Sequence, residues 1–211
     1  MLQKIASTVG QVGESVLGVV GIRVGTEEPP HTSRRLTDAV EIRRYSPRIA
    51  AQTTVDADED EARQEGFRRL AGYIFGGNGG KQKVAMTAPV SQSPAGSKKI
   101  AMTAPVSSTP GSDGWVVRFF MPAEWTMDTL PTPDDDRVTL VEVPAETVAV
   151  LRFSGGRSRD DVEPQMAALT EALRAHGIEM LGEPMTWFYD PPWTLPPLRR
   201  NEVVVAIPDG S

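Results

Sequence analysis

Apolar residues recur along this chain with two different periods, and each change of period marks an element. From Val40 to Tyr45 the period is two: Val40 and Ile42 share one face, Glu41 and Arg43 the other, as in a half-buried strand. Ser46-Pro47 interrupts the alternation, and Ile49 to Val55 continues it as a second extended piece. The period then becomes helical, with Ala62, Phe67, Leu70 and Ile74 on one apolar stripe. The acidic residues Asp56, Asp58, Glu59, Asp60 and Glu61 open this segment and suit the positive end of a helix dipole. Gly76-Gly77-Asn78-Gly79-Gly80 closes it.

The same order returns further on. Val138 to Val143 alternates, Pro144-Ala145 turns the chain, and Thr147 to Phe153 reads as another strand. A second helix follows with Ser158 as its N-cap and Asp161 as a capping-box partner. Val162, Met166, Leu169 and Leu173 form its apolar face, and Gly177 is its C-terminal cap. Pro164 conflicts with that start, because proline is comfortable only in the first turn. Extended segments at Met185 to Tyr189 and Glu202 to Ile207 complete the pattern. Strand, proline turn, strand, helix, strand therefore occurs twice, which predicts a pseudo-duplicated α+β domain over residues 36–208.

Ahead of this domain, Leu2, Ile5, Val9, Val12, Val16 and Val19 make one helical stripe, so residues 1–24 read as an amphipathic leader. Only Lys4 supplies early positive charge, Glu14 interrupts the middle and no Ala-x-Ala follows, which disfavours a secretory signal. The expectation is docking on its own domain or on another subunit; a peripheral membrane or self-association contact is the alternative. Residues 25–35 read as a linker, rich in proline and short polar residues.

Composition narrows the function. The net charge is −6, and phosphate binding needs a basic face, so a nucleic-acid partner is not expected. Cysteine is absent, which removes disulfides, thiolate metal sites and cysteine nucleophiles, and agrees with a cytoplasmic setting. Only His31 and His176 carry imidazoles, too few for multi-histidine metal or triad chemistry. No stretch of about 18 apolar residues could span a bilayer. Serine elbows and phosphate-cradling loops are missing, and the glycines at 76–80 follow a helix where a phosphate loop would precede one. Glu142 and Glu146 are the carboxylates spaced for acid–base work, without geometry to support it. A non-enzymatic protein is expected.

The most distinctive feature is a doubled segment. Lys83-Val84-Ala85-Met86-Thr87-Ala88-Pro89-Val90 is followed by Lys99-Ile100-Ala101-Met102-Thr103-Ala104-Pro105-Val106. With Ser91 to Lys98 read as a connecting loop, the two copies predict a paired, amphipathic hairpin, Val84 and Met86 sharing one face and Ile100 and Met102 another.

This motif closely resembles the SOUL family of haem-binding proteins. Val40-Glu41-Ile42-Arg43-Arg44-Tyr45-Ser46-Pro47, Phe67 to Asn78, and Trp187 to Val203 agree with the family in the same order, so the resemblance covers about residues 36–207. It implies a distorted antiparallel β-barrel with two long helices and internal pseudo-symmetry. It also implies haem, or a related tetrapyrrole, as a non-covalent ligand held for buffering or transfer. The same architecture is similar to effector-binding domains that hold small hydrophobic ligands between their halves. A carrier or sensor of another planar hydrophobic molecule is therefore the alternative, with a tetrapyrrole-processing enzyme behind it.

Haem needs apolar walls, often cations for its propionates, and sometimes an axial ligand. The family's proposed axial histidine lies near the strand matching Glu41 to Tyr45, where this chain has Arg43 and Arg44 instead. A hydrophobic groove without histidine ligation is thus expected, walled by Phe67, Leu70, Ile74, Met86 and Met102. Arg43 and Arg44, with Arg69 as a further cation, are the candidates for propionate pairing. Trp187, Tyr189 and Trp193 are expected to pack the barrel, with Arg199 and Arg200 organising its end.

Overall fold

The computed structural model describes residues 26–95, 114–191 and 193–210. The leader and the second copy of the doubled segment, Met102 included, lie outside the described residues. In chain order the strands are β1 (His31–Arg35), β2 (Val40–Tyr45), β3 (Arg48–Val55), β4 (Val90–Pro94), β5 (Trp115–Phe120), β6 (Thr139–Val143), β7 (Glu146–Phe153), β8 (Met185–Phe188) and β9 (Asn201–Ile207). Helix α1 (Glu59–Ile74) lies between β3 and β4, and α2 (Arg159–Ala175) between β7 and β8.

The nine described strands form one antiparallel sheet in the order β1-β2-β7-β9-β8-β4-β5-β3-β6. Apart from the edge strand β1, this order is its own mirror image: β2, β7, β9 and β8 are answered by β6, β3, β5 and β4. Each half is therefore strand-strand-helix-strand-strand, and the halves exchange their first strands, β2 pairing with β7 and β6 with β3. The pseudo-duplicated α+β domain that the periodicity predicts, with the distorted antiparallel barrel that the resemblance implies, is the observed fold.

Helix start and stop follow local chemistry. The Asp58 carboxylate accepts from the Glu61 N–H at 2.9 Å and caps α1. At α2 the Asp161 carboxylate accepts from the Ser158 N–H at 3.1 Å, and the helix runs through Pro164 all the same. Leu70, Tyr73 and Ile74 pack α1 against Ala51, Val117 and Phe119. Val162, Leu169 and Leu173 pack α2 against Ala149, Leu151, Val203 and Val205.

Both helices thus cover one face of the sheet, and the other face closes on itself. On that second face the Tyr45 ring of β2 meets the Trp187 ring of β8 at 5.6 Å, and Phe120 of β5 meets Trp187 at 5.9 Å. Neither pair belongs to adjacent strands, so the sheet must curl with this face inside.

Three expectations change. The linker's last residues form β1, whose five side chains are all exposed, so no apolar alternation announces it. Of the doubled segment only the first copy is described: its Lys83 to Pro89 form no strand, and the expected connecting loop instead supplies β4, which pairs with β5 and β8. Its Ser91-Gln92-Ser93 looks like a loop but is buried between neighbouring strands. The strand β5 itself went unread.

Gly66 marks where α1 comes closest to the sheet, since a Cβ there would lie 2.5 Å from Val117 Cγ2. Gly66→Ala should lower stability by about 1–3 kcal/mol through overpacking. Gly72→Ala, which would meet nothing within 4 Å, should raise it by up to about 1 kcal/mol. Urea midpoints for the pair check this; equal shifts would contradict the seating of α1.

Candidate functional site

The chain passes from one half to the other at two tight corners, Ser46-Pro47 between β2 and β3 and Pro144-Ala145 between β6 and β7. The register places the corners side by side, with Tyr45 opposite Glu146 and Arg48 opposite Val143. Arg48 and Glu146, the first residues of β3 and β7, are thus pseudo-symmetric partners. Their side chains form an ion pair from Arg48 Nη2 to Glu146 Oε1, with 7% and 9% of each exposed.

The Arg48 guanidinium is boxed by aromatic rings. Its central carbon lies 4.1 Å from the Tyr45 ring centre, 4.4 Å from Phe120 and 5.8 Å from Trp187. Its Nε and Nη1 are buried, and no acceptor among the described residues reaches them. Arg118, on the same face of β5, donates from Nε to Gln52 Oε1 at 2.8 Å. Burial lowers the pKa of Arg48 and of Arg118, with Glu146 opposing the shift in both cases. Burial likewise raises that of Glu146, against the pull of both arginines.

A cleft of about 660 Å³ opens over these corners, within the range of small-molecule sites. Pro29, Pro30, Pro47, Pro122 and Pro144 contribute to its rim, and Ile49, Met121, Trp125 and Val143 to its apolar wall. Prolines suit such a place, because their rings present apolar surface and they have no N–H to satisfy. Arg48 also lines it. Of the acidic liners, Glu27 is committed to the Ala123 N–H at 2.9 Å, and Glu142 is exposed. Ile49, Met121 and Trp125 pack on the same core cluster as Leu70, Ile74 and Met86. The cleft therefore lies beside the groove expected from the sequence.

None of the seven described groove and propionate candidates lines this cleft. Leu70 and Ile74 are fully buried under α1, and Phe67 and Met86 are half-buried against the same cluster. Arg44 is exposed and pairs with Asp209 at 3.4 Å; Arg69 is held by Glu65 and the Thr54 carbonyl. The His31 ring rests on Tyr45 at 4.9 Å, and His176 caps α2 through the Ala172 carbonyl. Glu142 and Glu146 do not form an acid–base pair, since one is exposed and the other is tied to Arg48. Trp187 and Tyr189 do pack the barrel, whereas Trp193 is 59% exposed. Among the described residues, no group of three or more His, Asp or Glu could hold a metal ion.

Arg43 lies inside the barrel, bound to Glu202 at 2.7 and 2.9 Å. The Glu202 carboxylate also accepts from Tyr189 Oη at 2.7 Å and from Arg200 at 2.8 Å. Burial alone would raise its pKa, but the hydrogen bond and charge of Arg43, then Arg200 and Tyr189, hold it below its ordinary value of 4.5. A depressed carboxylate adds stability above its unfolded pKa, and that stability is lost as pH falls through the folded value. Glu202→Gln removes the fully buried carboxylate between Arg43 and Arg200, leaving them only the more exposed Glu41 and Glu28, so it should cost about 3–5 kcal/mol at neutral pH. It should also flatten the loss of stability below pH 4.5; a denaturant series from pH 7 to 3 on both proteins measures this, and parallel curves would contradict it.

Proteins similar to this chain are found both by sequence and by fold. "Heme-binding protein 2" of Mus musculus is 32% identical over 138 residues, 65% of this chain and 62% of the relative. The Homo sapiens protein of that name is 31% identical over the same length. The chain thus spans less than two thirds of either relative. The EcmrR C-terminal domain superposes with a TM-score of 0.57 over 84% of this chain and 98% of that domain, at 9% identity, a likeness of fold alone. The family model described as SOUL heme-binding protein matches residues 26–206, which takes in both helices and all nine strands but for the last residue of β9. On that match this chain belongs to the SOUL heme-binding protein family.

Proposed function

We propose that this protein binds haem or a related tetrapyrrole non-covalently in the cleft between its two halves, for buffering or transfer rather than catalysis. The observation that carries the reading is an apolar, proline-rimmed cleft of about 660 Å³ at the junction of the halves, with a buried cation in its lining. Family membership and the name of the two relatives support haem in particular. Ile49, Met121, Trp125 and Val143 would take the macrocycle, whose transfer out of water is the main favourable term. A bound haem would supply an iron centre, and neither described histidine lines the cleft. Iron ligation by histidine is therefore not part of the proposal. Among the described residues, the candidate acid–base carboxylates stand apart, Glu142 exposed and Glu146 tied to Arg48, which favours a binder over an enzyme.

Titration of the purified protein with haemin should give a saturable Soret change at micromolar concentration, kept in His31→Ala and His176→Ala. Ala123→Trp, which fills the cleft from its lining, should weaken binding about tenfold or more through steric exclusion. Loss of binding in either histidine variant would contradict the mode proposed. Absence of any saturable change would contradict haem as the ligand, leaving another planar hydrophobic molecule as the reading to pursue.

A further inference from the structure

The first described residues sit at the lip of the cleft. Glu27 lines it, and two hydrogen bonds pin that residue: its carboxylate accepts from the Ala123 N–H at 2.9 Å and its carbonyl from the Ala88 N–H at 2.9 Å. Glu28 is held in turn by Arg200 at 2.9 Å. The chain ahead of Thr26 therefore joins the fold at a fixed point beside the cleft. Two apolar surfaces are thereby tethered to one another. One is the cleft itself, where Ile49, Trp125 and Val143 are only half-buried and Pro47, Ala123 and Pro144 stand exposed around them. The other is the stripe of Leu2, Ile5, Val9, Val12, Val16 and Val19 in the leader. Val20 to Gly25 can span up to about 20 Å when extended, ample to fold the stripe back over a cleft of about 660 Å³. A bilayer suits the stripe less well. Between Leu2 and Val19 the only cation is Lys4 and the only anion Glu14, whereas helices that lie on membranes carry many Lys and Arg on the polar face.

We propose that residues 1–24 dock their apolar stripe in this cleft and compete there with its ligand. Val12, Val16 and Val19, nearest the tether, take the places on Ile49, Trp125 and Val143 that a macrocycle would take. A tether this short holds the stripe at an effective concentration on the order of 1 mM. A stripe–cleft contact with a dissociation constant of about 100 μM then keeps the cleft covered roughly ten to one and weakens its ligand about tenfold. Ligand uptake releases the leader, and anything that holds the leader elsewhere raises ligand affinity by the same factor. The competition rests on the tetrapyrrole reading; the docking does not.

The chain has no cysteine, so Gln11→Cys gives a single attachment point for a nitroxide on the polar side of the leader. In the ligand-free full chain the label should broaden the amide NMR signals of Ile49, Ala123, Trp125 and Val143. It should spare Val55 and Phe153, the last residues of β3 and β7. Adding Val12→Asp/Val16→Asp should abolish the broadening and, without the label, tighten haemin binding about tenfold. Gln3→Asp/Ser7→Asp, the same added charge on the polar side, should change neither. No broadening at the cleft, or broadening that survives Val12→Asp/Val16→Asp, would overturn the docking and leave the tetrapyrrole reading standing. Broadening that arises only between labelled and isotope-enriched copies mixed together would overturn it in favour of a second copy. Unchanged haemin affinity in Val12→Asp/Val16→Asp would overturn the competition. If neither the parent nor any variant binds haemin, the tetrapyrrole reading falls, while the broadening still decides the docking.

Discussion

Everything about this molecule's interior follows from the sheet closing on itself at two adjacent corners, where the Arg48–Glu146 ion pair joins the halves. The halves exchange their first strands, so the two crossings must lie next to each other. The first residue after each crossing is charged, and the charges are opposite. Such a pair is not stabilising by default: desolvation of both ions competes with their attraction, and hydrophobic replacements often do as well. What the pair does supply is a contact between the two corners and a buried cation in the lining of the cleft.

The same logic separates the two faces of the sheet. The face under the helices is conventional core, aliphatic and aromatic, and it carries the burial that holds the fold. The enclosed face mixes Tyr45, Phe120, Trp187 and Tyr189 with Arg43, Arg48, Arg118, Glu146 and Glu202. At the Glu202 end the charges are matched by several hydrogen bonds, and the network reads as structural. At the other end Arg48 has its ion pair with Glu146 but two buried nitrogens without an acceptor among the described residues, and Arg48 lines the cleft.

Much of the fold was legible in the sequence because period and punctuation agree there. Val40 to Tyr45, Leu169 with Leu173, and the Ser158/Asp161 cap are all local signals. The losses came where the local signal and the tertiary position disagree. Ser91-Gln92-Ser93 reads as loop, yet strands on both sides satisfy its polar groups. His31–Arg35 alternates nothing because an edge strand here faces solvent throughout. The candidate site was legible only in part. Leu70, Ile74 and Arg43 read as ligand contacts, yet none of them lines the cleft, because their surroundings are decided by sheet curl, a property of pairings between β2, β7, β3 and β6 that no single segment encodes. The signal for the cleft was present in the two proline corners, which read simply as turns until the register set them together.

The central claim is that a planar ligand sits between the halves and not along α1. Backbone amide NMR shifts on adding a metal-free porphyrin locate it most directly. The account predicts the largest shifts at Arg48, Ile49, Met121, Ala123, Trp125, Val143 and Ala145. Shifts concentrated instead on Phe67 to Ile74 and Val84 to Met86 would contradict it.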